Sequence, residues 1–163
     1  MTSQNTTRVS LRLKNYVHGA ILRRADDAGL DPSAYMQDIL EKAVIEDLPE
    51  DLRLRIERER ALYEAAQRKA REAFADGVFD EHFTRTVFRL LVEDNDTRRL
   101  YEDVIGAEAG ADGAPGKTPV NMYLGWYIKN AIGAKPQLGP DGNPRRAFVK
   151  GEPIKSYTLL TME

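Results

Sequence analysis

The chain of 163 residues contains no cysteine and only two histidines, His18 and His82. The absence of cysteine excludes disulfides, thiolate metal sites and thiol catalysis, and it fits a reducing compartment. Metal centres usually need three or four ligands, and no acidic residue stands at ligand spacing from either histidine. We therefore expect no metal, no cofactor and no enzymatic activity.

Long apolar runs are also missing. No stretch approaches the ~18 apolar residues that a membrane helix needs. The polar residues 1–7 are not followed by the apolar segment of a signal peptide. We therefore expect a cytoplasmic protein without a membrane span. Apolar residues make up 42% of the chain, which is enough for one ordinary domain or two small ones.

Acidic residues are absent from residues 1–25, where five basic residues lie: Arg8, Arg12, Lys14, Arg23 and Arg24. The net charge of the whole chain is −2, which by itself argues against a nucleic-acid partner. The charge is, however, unevenly distributed. Residues 26–47 contain one lysine and seven acids, whereas residues 114–163 contain seven basic residues and three acids. Because local charge governs phosphate binding, both ends of the chain can present basic faces.

The segment RVSLRLK, residues 8–14, alternates apolar and polar side chains without a break. This period of two predicts a strand with Val9, Leu11 and Leu13 on one face. The next residues predict two helices. The first ends at Gly29, and the second begins at Pro32 after the capping residue Asp31. The order is therefore strand, helix, tight turn, helix.

A lone strand exposes unpaired backbone groups along both edges, and pairing with the same strand of a second chain removes this cost. The resulting two-stranded ribbon fits the DNA major groove, which is ~12 Å wide. Its polar face carries Arg8, Ser10, Arg12 and Lys14. Arginine can donate two hydrogen bonds to guanine, and the amide groups at the start of the second helix, near Ser33, can hold a phosphate. An ordinary edge strand with solvated basic residues is the alternative.

These residues resemble the ribbon-helix-helix DNA-binding family. The resemblance covers residues 7–47, with RVSLRL as the ribbon and LDPSAYMQDIL as the start of the second helix. It implies a homodimer in which Arg8, Ser10 and Arg12 read bases, while Ser33 lies beside the DNA backbone. Lys14 would then contact a phosphate. Residues 1–48 form the predicted DNA-binding and dimerisation domain.

The remainder predicts two further parts. Residues 49–76 favour a long charged helix, either a linker or one side of a coiled pair. Residues 77–163 predict a small α+β domain of three helices and a β-hairpin around Gly151, and this element order is that of a winged helix. We therefore expect a mainly α protein. Arg145, Arg146 and Lys150 flank the hairpin and are candidates for contact with the DNA backbone. A solvated hairpin is the alternative.

The loop ADGAPGKT, residues 111–118, matches a loose phosphate-loop pattern. No apolar strand precedes it, so nucleotide binding by Lys117 and Thr118 is the lesser alternative to a plain loop. The leading hypothesis is a dimeric or tetrameric transcriptional regulator, most simply a repressor, bound to double-stranded DNA. A second hypothesis is an accessory protein of plasmid mobilisation or partition, or an antitoxin, whose residues 77–163 dock a partner protein.

Overall fold

The structure is a computed structural model of the chain and describes residues 6–163. The described residues divide into an N-terminal unit that ends at Leu40 and a C-terminal unit, Glu41–Glu163. The helices α1 to α6 are Asn15–Ala28, Pro32–Val44, Glu50–Ala75, Phe83–Glu93, Asn95–Ile105 and Lys117–Ala131. The strands β1 to β4 are Lys135–Pro136, Arg146–Phe148, Ser156–Thr158 and Leu160–Thr161. Within residues 6–163, no helix combines the length and apolarity needed to cross a lipid bilayer.

The turn between α1 and α2 has the predicted chemistry. Gly29 adopts the left-handed conformation, with φ 64°, and the N–H of Leu30 donates to the carbonyl of Ala25 at 2.9 Å. The N–H of Gly29 likewise donates to the carbonyl of Asp26 at 2.9 Å. The two bonds satisfy carbonyls that the end of a helix leaves without partners. Asp31 accepts a hydrogen bond from the N–H of Ser33 at 3.0 Å and caps α2. Both helix boundaries at this turn are confirmed.

The predicted strand 8–14 is absent from the single chain. Residues 6–14 belong to no helix or strand, and no other described residue hydrogen-bonds to the backbone of residues 8–13. A strand exists only beside a neighbour, and the described part of this chain supplies none. The ribbon therefore stays a prediction that concerns two chains.

The long helix α3 belongs to the core of the C-terminal unit, where it packs against α4, α5 and α6. Its buried face consists of Leu62, Ala65, Ala66, Ala70 and Ala73. The long helix expected over residues 49–76 is therefore present, and of the two alternatives for it, a linker or one side of a coiled pair, its packing is unlike a linker. Alanine buries little area by itself, so its stripe reads as weak in the sequence, but it lets neighbouring helices approach closely.

The other helices follow the predicted order. The carboxylate of Asp94 accepts from the N–H groups of Asp96 and Thr97 and starts α5, and Gly106 in the left-handed conformation ends it. The core between the helices contains Phe83, Phe88, Leu91, Tyr101, Leu124 and Ile128, each at most 1% exposed. Three helices in a row, α4 to α6, are thus confirmed ahead of the strands.

The predicted hairpin is β2 paired antiparallel with β3, in the register Arg146↔Thr158 and Phe148↔Ser156. A second antiparallel pair, β1 with β4, joins the segment just after α6 to the end of the chain. The sequence did not indicate this pair because each of its strands has only two residues. The element order matches a winged helix, but that likeness stays a prediction.

The aromatic residues of α6 pack mainly inside the C-terminal unit. The rings of Tyr123 and Tyr127 stack on Tyr63 of α3, with centroid distances of 5.7 and 4.9 Å. Burial is the main reason that the pKa of Tyr63 is raised. Trp126 is half-buried and makes an edge contact with Tyr123 at 5.3 Å.

Candidate nucleic-acid interface

The basic side chains of the N-terminal segment are exposed. Arg8, Ser10 and Arg12 all face solvent, and among the described residues none of these side chains forms a hydrogen bond or an ion pair. The ammonium of Lys14 lies 5.7 Å from the centroid of the Tyr16 ring, within the range of a cation–π contact. Within residues 6–163, the two arginines therefore keep all their donors available for an external acceptor.

The apolar side chains of the same segment are exposed as well. Val9 is 71% exposed and Leu11 is 63% exposed, and Tyr16 at the start of α1 is 70% exposed. Further exposed apolar residues of the N-terminal unit are Leu13, Val17, Leu22, Ile39 and Leu40. The buried apolar residues of this unit are only Ala25, Leu30 and Ala34 among those described. Among its described residues, the N-terminal unit thus exposes more large apolar side chains than it buries.

The first turn of α2 is less suited to a phosphate than the sequence indicated. The N–H of Ser33 donates to the carboxylate of Asp31 at 3.0 Å, so that this amide already has an anionic partner. A phosphate at the same place would meet the negative charge of Asp31. We therefore do not assign Ser33 a contact with the DNA backbone.

The three basic residues near the hairpin do different things. Arg145 donates to the side-chain oxygen of Gln137 at 3.0 Å. The guanidinium of Arg146 donates to the hydroxyls of Ser156 at 2.8 Å and Thr158 at 3.2 Å. Lys150 is exposed in the loop after β2. Two of the three side chains therefore have partners within the C-terminal unit, and only Lys150 is left to the solvent without a described partner.

The helix that would enter DNA in a winged helix is α6, and its surface is nearly neutral. Its two basic residues are Lys117 and Lys129, and Lys117 is buried. The exposed positions Thr118, Pro119 and Met122 carry no charge. Because phosphate attraction supplies most of the affinity for DNA, this helix is poorly suited to contact a duplex.

The phosphate-loop pattern has a structural explanation. The ammonium of Lys117 donates to the backbone carbonyls of Ala109 and Ala111 at 2.8 and 2.7 Å, and the residue is only 8% exposed. Desolvation by burial lowers the pKa of Lys117. A lysine engaged in this way closes the loop before α6 and does not point to a nucleotide phosphate.

Neither histidine belongs to a cluster of potential metal ligands within residues 6–163. The ring nitrogen Nδ1 of His82 lies 2.7 Å from the hydroxyl of Tyr157, and His18 is exposed on α1. Residues 6–163 contain no group of three potential metal ligands.

Protein-family models, curated proteins and solved structures were compared with the chain, and none of them matches it. The resemblance to ribbon-helix-helix proteins therefore depends on residues 7–47 alone. The exposed apolar side chains of α1, which include Tyr16 and Leu22, were not predicted from the sequence. A hydrophobic stripe along a helix does not show whether other residues of the same chain cover it.

Proposed function

We propose that the protein is a homodimeric, sequence-specific DNA-binding regulator of transcription that inserts a two-stranded ribbon into the major groove. The observation that supports this proposal is that residues 8–14 combine exposed basic side chains, exposed apolar side chains and an unpaired backbone. An unpaired segment alternates exposed arginines with exposed apolar residues, and no other described segment pairs with it. A partner strand could take up its open backbone groups and cover its exposed apolar side chains.

A second copy of the chain supplies that partner with the right chemistry. Antiparallel pairing of two identical segments about a two-fold axis satisfies the open backbone groups. It also places Val9, Leu11 and Leu13 of both copies on one face, against the exposed apolar residues of α1 and α2. Fully burying a Val or Leu side chain contributes about 1.5–3 kcal/mol, so six such side chains give a substantial driving force. A unit of this size rarely has an adequate core without such help.

The opposite face of the ribbon then carries two copies of Arg8, Ser10 and Arg12. Alternation places these side chains on the side away from the apolar core. Each arginine that pairs with guanine contributes about 1–3 kcal/mol of discrimination against the wrong base. Two-fold symmetry predicts a DNA site with inverted half-sites.

The decisive experiment begins with selection of bound duplexes from a random-sequence pool by the full-length protein. We expect a motif with two-fold symmetry. The selected duplex is then used in gel shifts with the double variant R8A/R12A. Loss of two base contacts per protomer should weaken binding at least a hundredfold and relax the base preference.

Arg71→Ala is the matched control, because Arg71 is an exposed arginine of α3 in the C-terminal unit. It should bind the selected duplex as the wild type does. Leu11→Asp tests the dimer separately, and light scattering should show a monomer with greatly weakened DNA binding. Unchanged affinity in R8A/R12A, or a pool without any enriched motif, would refute the proposal.

A further inference from the structure

The C-terminal unit contains a cavity of about 490 Å³ between α6 and the β2–β3 hairpin. Thr118, Trp126 and Lys129 of α6 line it on one side, and Ser156 and Thr158 of β3 line it on another. The volume lies in the range of sites for small organic ligands. The cavity belongs to the C-terminal unit alone and has no part in the proposed ribbon.

The lining of this cavity is positively charged. Its charged residues are Lys117, Lys129, Arg146 and Lys155, and no acidic residue lines it. The charge of Lys155 is balanced by Asp112 at 3.2 Å, but both side chains are largely exposed, and such a pair is weak. A cavity with cations and no lining carboxylate favours an anion.

Lys129 is the cation most clearly without a counter-charge. It is half-buried, and desolvation lowers its pKa. Among the described residues its ammonium group forms neither an ion pair nor a hydrogen bond. Lys117 donates to two carbonyls and Arg146 to two hydroxyls, so Lys129 alone keeps all three donors for a ligand.

The remaining walls of the cavity are mainly apolar. They include the half-buried ring of Trp126, the side chains of Met122 and Ile154, and three prolines, Pro136, Pro144 and Pro153. The indole and pyrrolidine rings among these side chains suit a planar ring, which can stack on the former or pack against the latter. The polar hydroxyls of Ser156, Thr158 and Thr118 add donors and acceptors at the cavity surface.

We propose that this cavity binds a free organic phosphate of mononucleotide size, with the phosphate held by Lys129 and the planar ring placed against Trp126. A phosphate offers three oxygens to the three donors of Lys129, whereas a carboxylate offers two. Lys117, Arg146 and Lys155 add positive potential, although each already has a described partner. In a regulator, such a ligand is an effector of the C-terminal unit. The proposal concerns ligand binding alone and holds or fails independently of DNA binding.

The test uses the full-length chain, in which Trp126 is the only tryptophan, so that its fluorescence reports directly on the cavity. The probe is a mixture of the four ribonucleoside monophosphates, titrated to millimolar concentration and then resolved into its components. We expect a saturable change in fluorescence and a rise in the melting temperature with ligand concentration. Inorganic phosphate and the corresponding nucleosides, each alone, should bind at least tenfold more weakly.

Lys129→Gln should weaken binding about tenfold, since it removes one charge-assisted hydrogen bond. It should not lower the melting temperature without ligand, because it removes an uncompensated half-buried charge. Lys150→Gln is the control, since Lys150 is exposed and does not line the cavity. No saturable response to the mixture, or equal affinity in the wild type and Lys129→Gln, refutes the proposal. Equal binding of inorganic phosphate refutes the recognition of a ring, and equal binding of nucleosides refutes the recognition of an anion.

Discussion

Replacing Lys117 by methionine tests whether the hydrogen bonds of this lysine stabilise the loop between α5 and α6. Methionine keeps an unbranched apolar side chain of similar length and removes the ammonium group. In the wild type that group donates to the carbonyls of Ala109 and Ala111, at 2.8 and 2.7 Å. The variant therefore loses two hydrogen bonds while the packing of the stem is largely kept.

The expected cost follows from where the two carbonyls lie. Ala109 is 8% exposed, so its carbonyl is left buried without its partner, which costs about 1–3 kcal/mol. Ala111 is less buried, and its carbonyl can bond to water instead. Removing a charge that burial disfavours offsets part of the loss. We therefore expect Lys117→Met to lower the free energy of unfolding by about 2 kcal/mol.

The assay is urea unfolding followed by the fluorescence of Trp126, with hydrogen exchange as a local probe. Amide exchange in residues 107–116 should accelerate more than exchange in α4 or α5. Lys150→Met is the control and should change stability by less than about 0.5 kcal/mol, as is usual for exposed positions. If Lys117→Met unfolds at the same urea concentration as the wild type, with the same slope, the two hydrogen bonds do not stabilise the unit.

The pH dependence gives a second signature of the same lysine. The pKa of Lys117 in the folded chain is lowered from 10.5, so the unfolded chain binds this proton more tightly. The free energy of unfolding should therefore rise as the pH increases through the folded pKa towards 10.5. Lys117→Met should lack this contribution, and its stability relative to the wild type should fall as the solution becomes alkaline.

Three further predictions concern other parts of the chain. Asp31→Ser keeps a capping side chain on α2 and removes one negative charge per protomer. Since no phosphate contact is assigned to this helix end, binding to the selected duplex in gel shifts at fixed salt should change less than about threefold, and a larger gain would show that a phosphate lies near α2. Tyr101→Phe removes the 2.7 Å hydrogen bond that the Tyr101 hydroxyl donates to Asn121. Urea unfolding should show a free energy of unfolding about 1 kcal/mol lower than in the wild type, and an unaltered value would contradict this expectation. The hydrogen bond from Lys69 and the N–H groups of the α5 cap lower the pKa of Asp94 below 3.8. The ionised carboxylate therefore contributes to the free energy of unfolding above pH 3.8, and this contribution is lost as the pH falls through the folded pKa. Asp94→Asn should therefore melt below the wild type at neutral pH and converge with it in strong acid.

Helix boundaries were the most predictable features of the fold. Gly29 and Asp31 act within a few residues of their own position, through a left-handed backbone conformation and a side-chain cap. Such interactions depend little on distant parts of the chain, so a sequence pattern is enough to find them. The β2–β3 hairpin was predictable for the same reason, because its two strands are close in sequence.

The role of α3 was not predictable in the same way. Its charged residues suggested a partly exposed helix, either a linker or one side of a coiled pair, and its alanines carry little weight in a hydrophobic pattern. The structure buries Ala65, Ala66, Ala70 and Ala73 against other helices of the C-terminal unit. Whether a small side chain is buried depends on which neighbour approaches it, and that information lies in separate segments.

The candidate cavity was even less predictable from the sequence, because its lining residues come from separate segments. Lys129 and Trp126 come from α6, and Arg146 and Lys155 come from the hairpin region. No spacing rule connects these positions, because they converge only when the hairpin folds back on α6. In the sequence, Lys117 and Thr118 were noted only for a loose phosphate-loop pattern, and a plain loop was the favoured interpretation; both residues line this cavity.

The amino-acid sequence by itself determined the turn at Gly29, the caps, the hairpin and the alternation of charge at residues 8–14, since each depends on the conformation of a few consecutive residues. Tertiary structure alone decided that α3 is a core helix, that Lys117 holds a loop, and that a basic cavity lies beside Trp126. The physical reason is that burial, desolvation and cavity shape depend on contacts between residues that are distant along the chain. Hydrogen bonding and backbone preference act over a few residues, and they can therefore be inferred directly from their order.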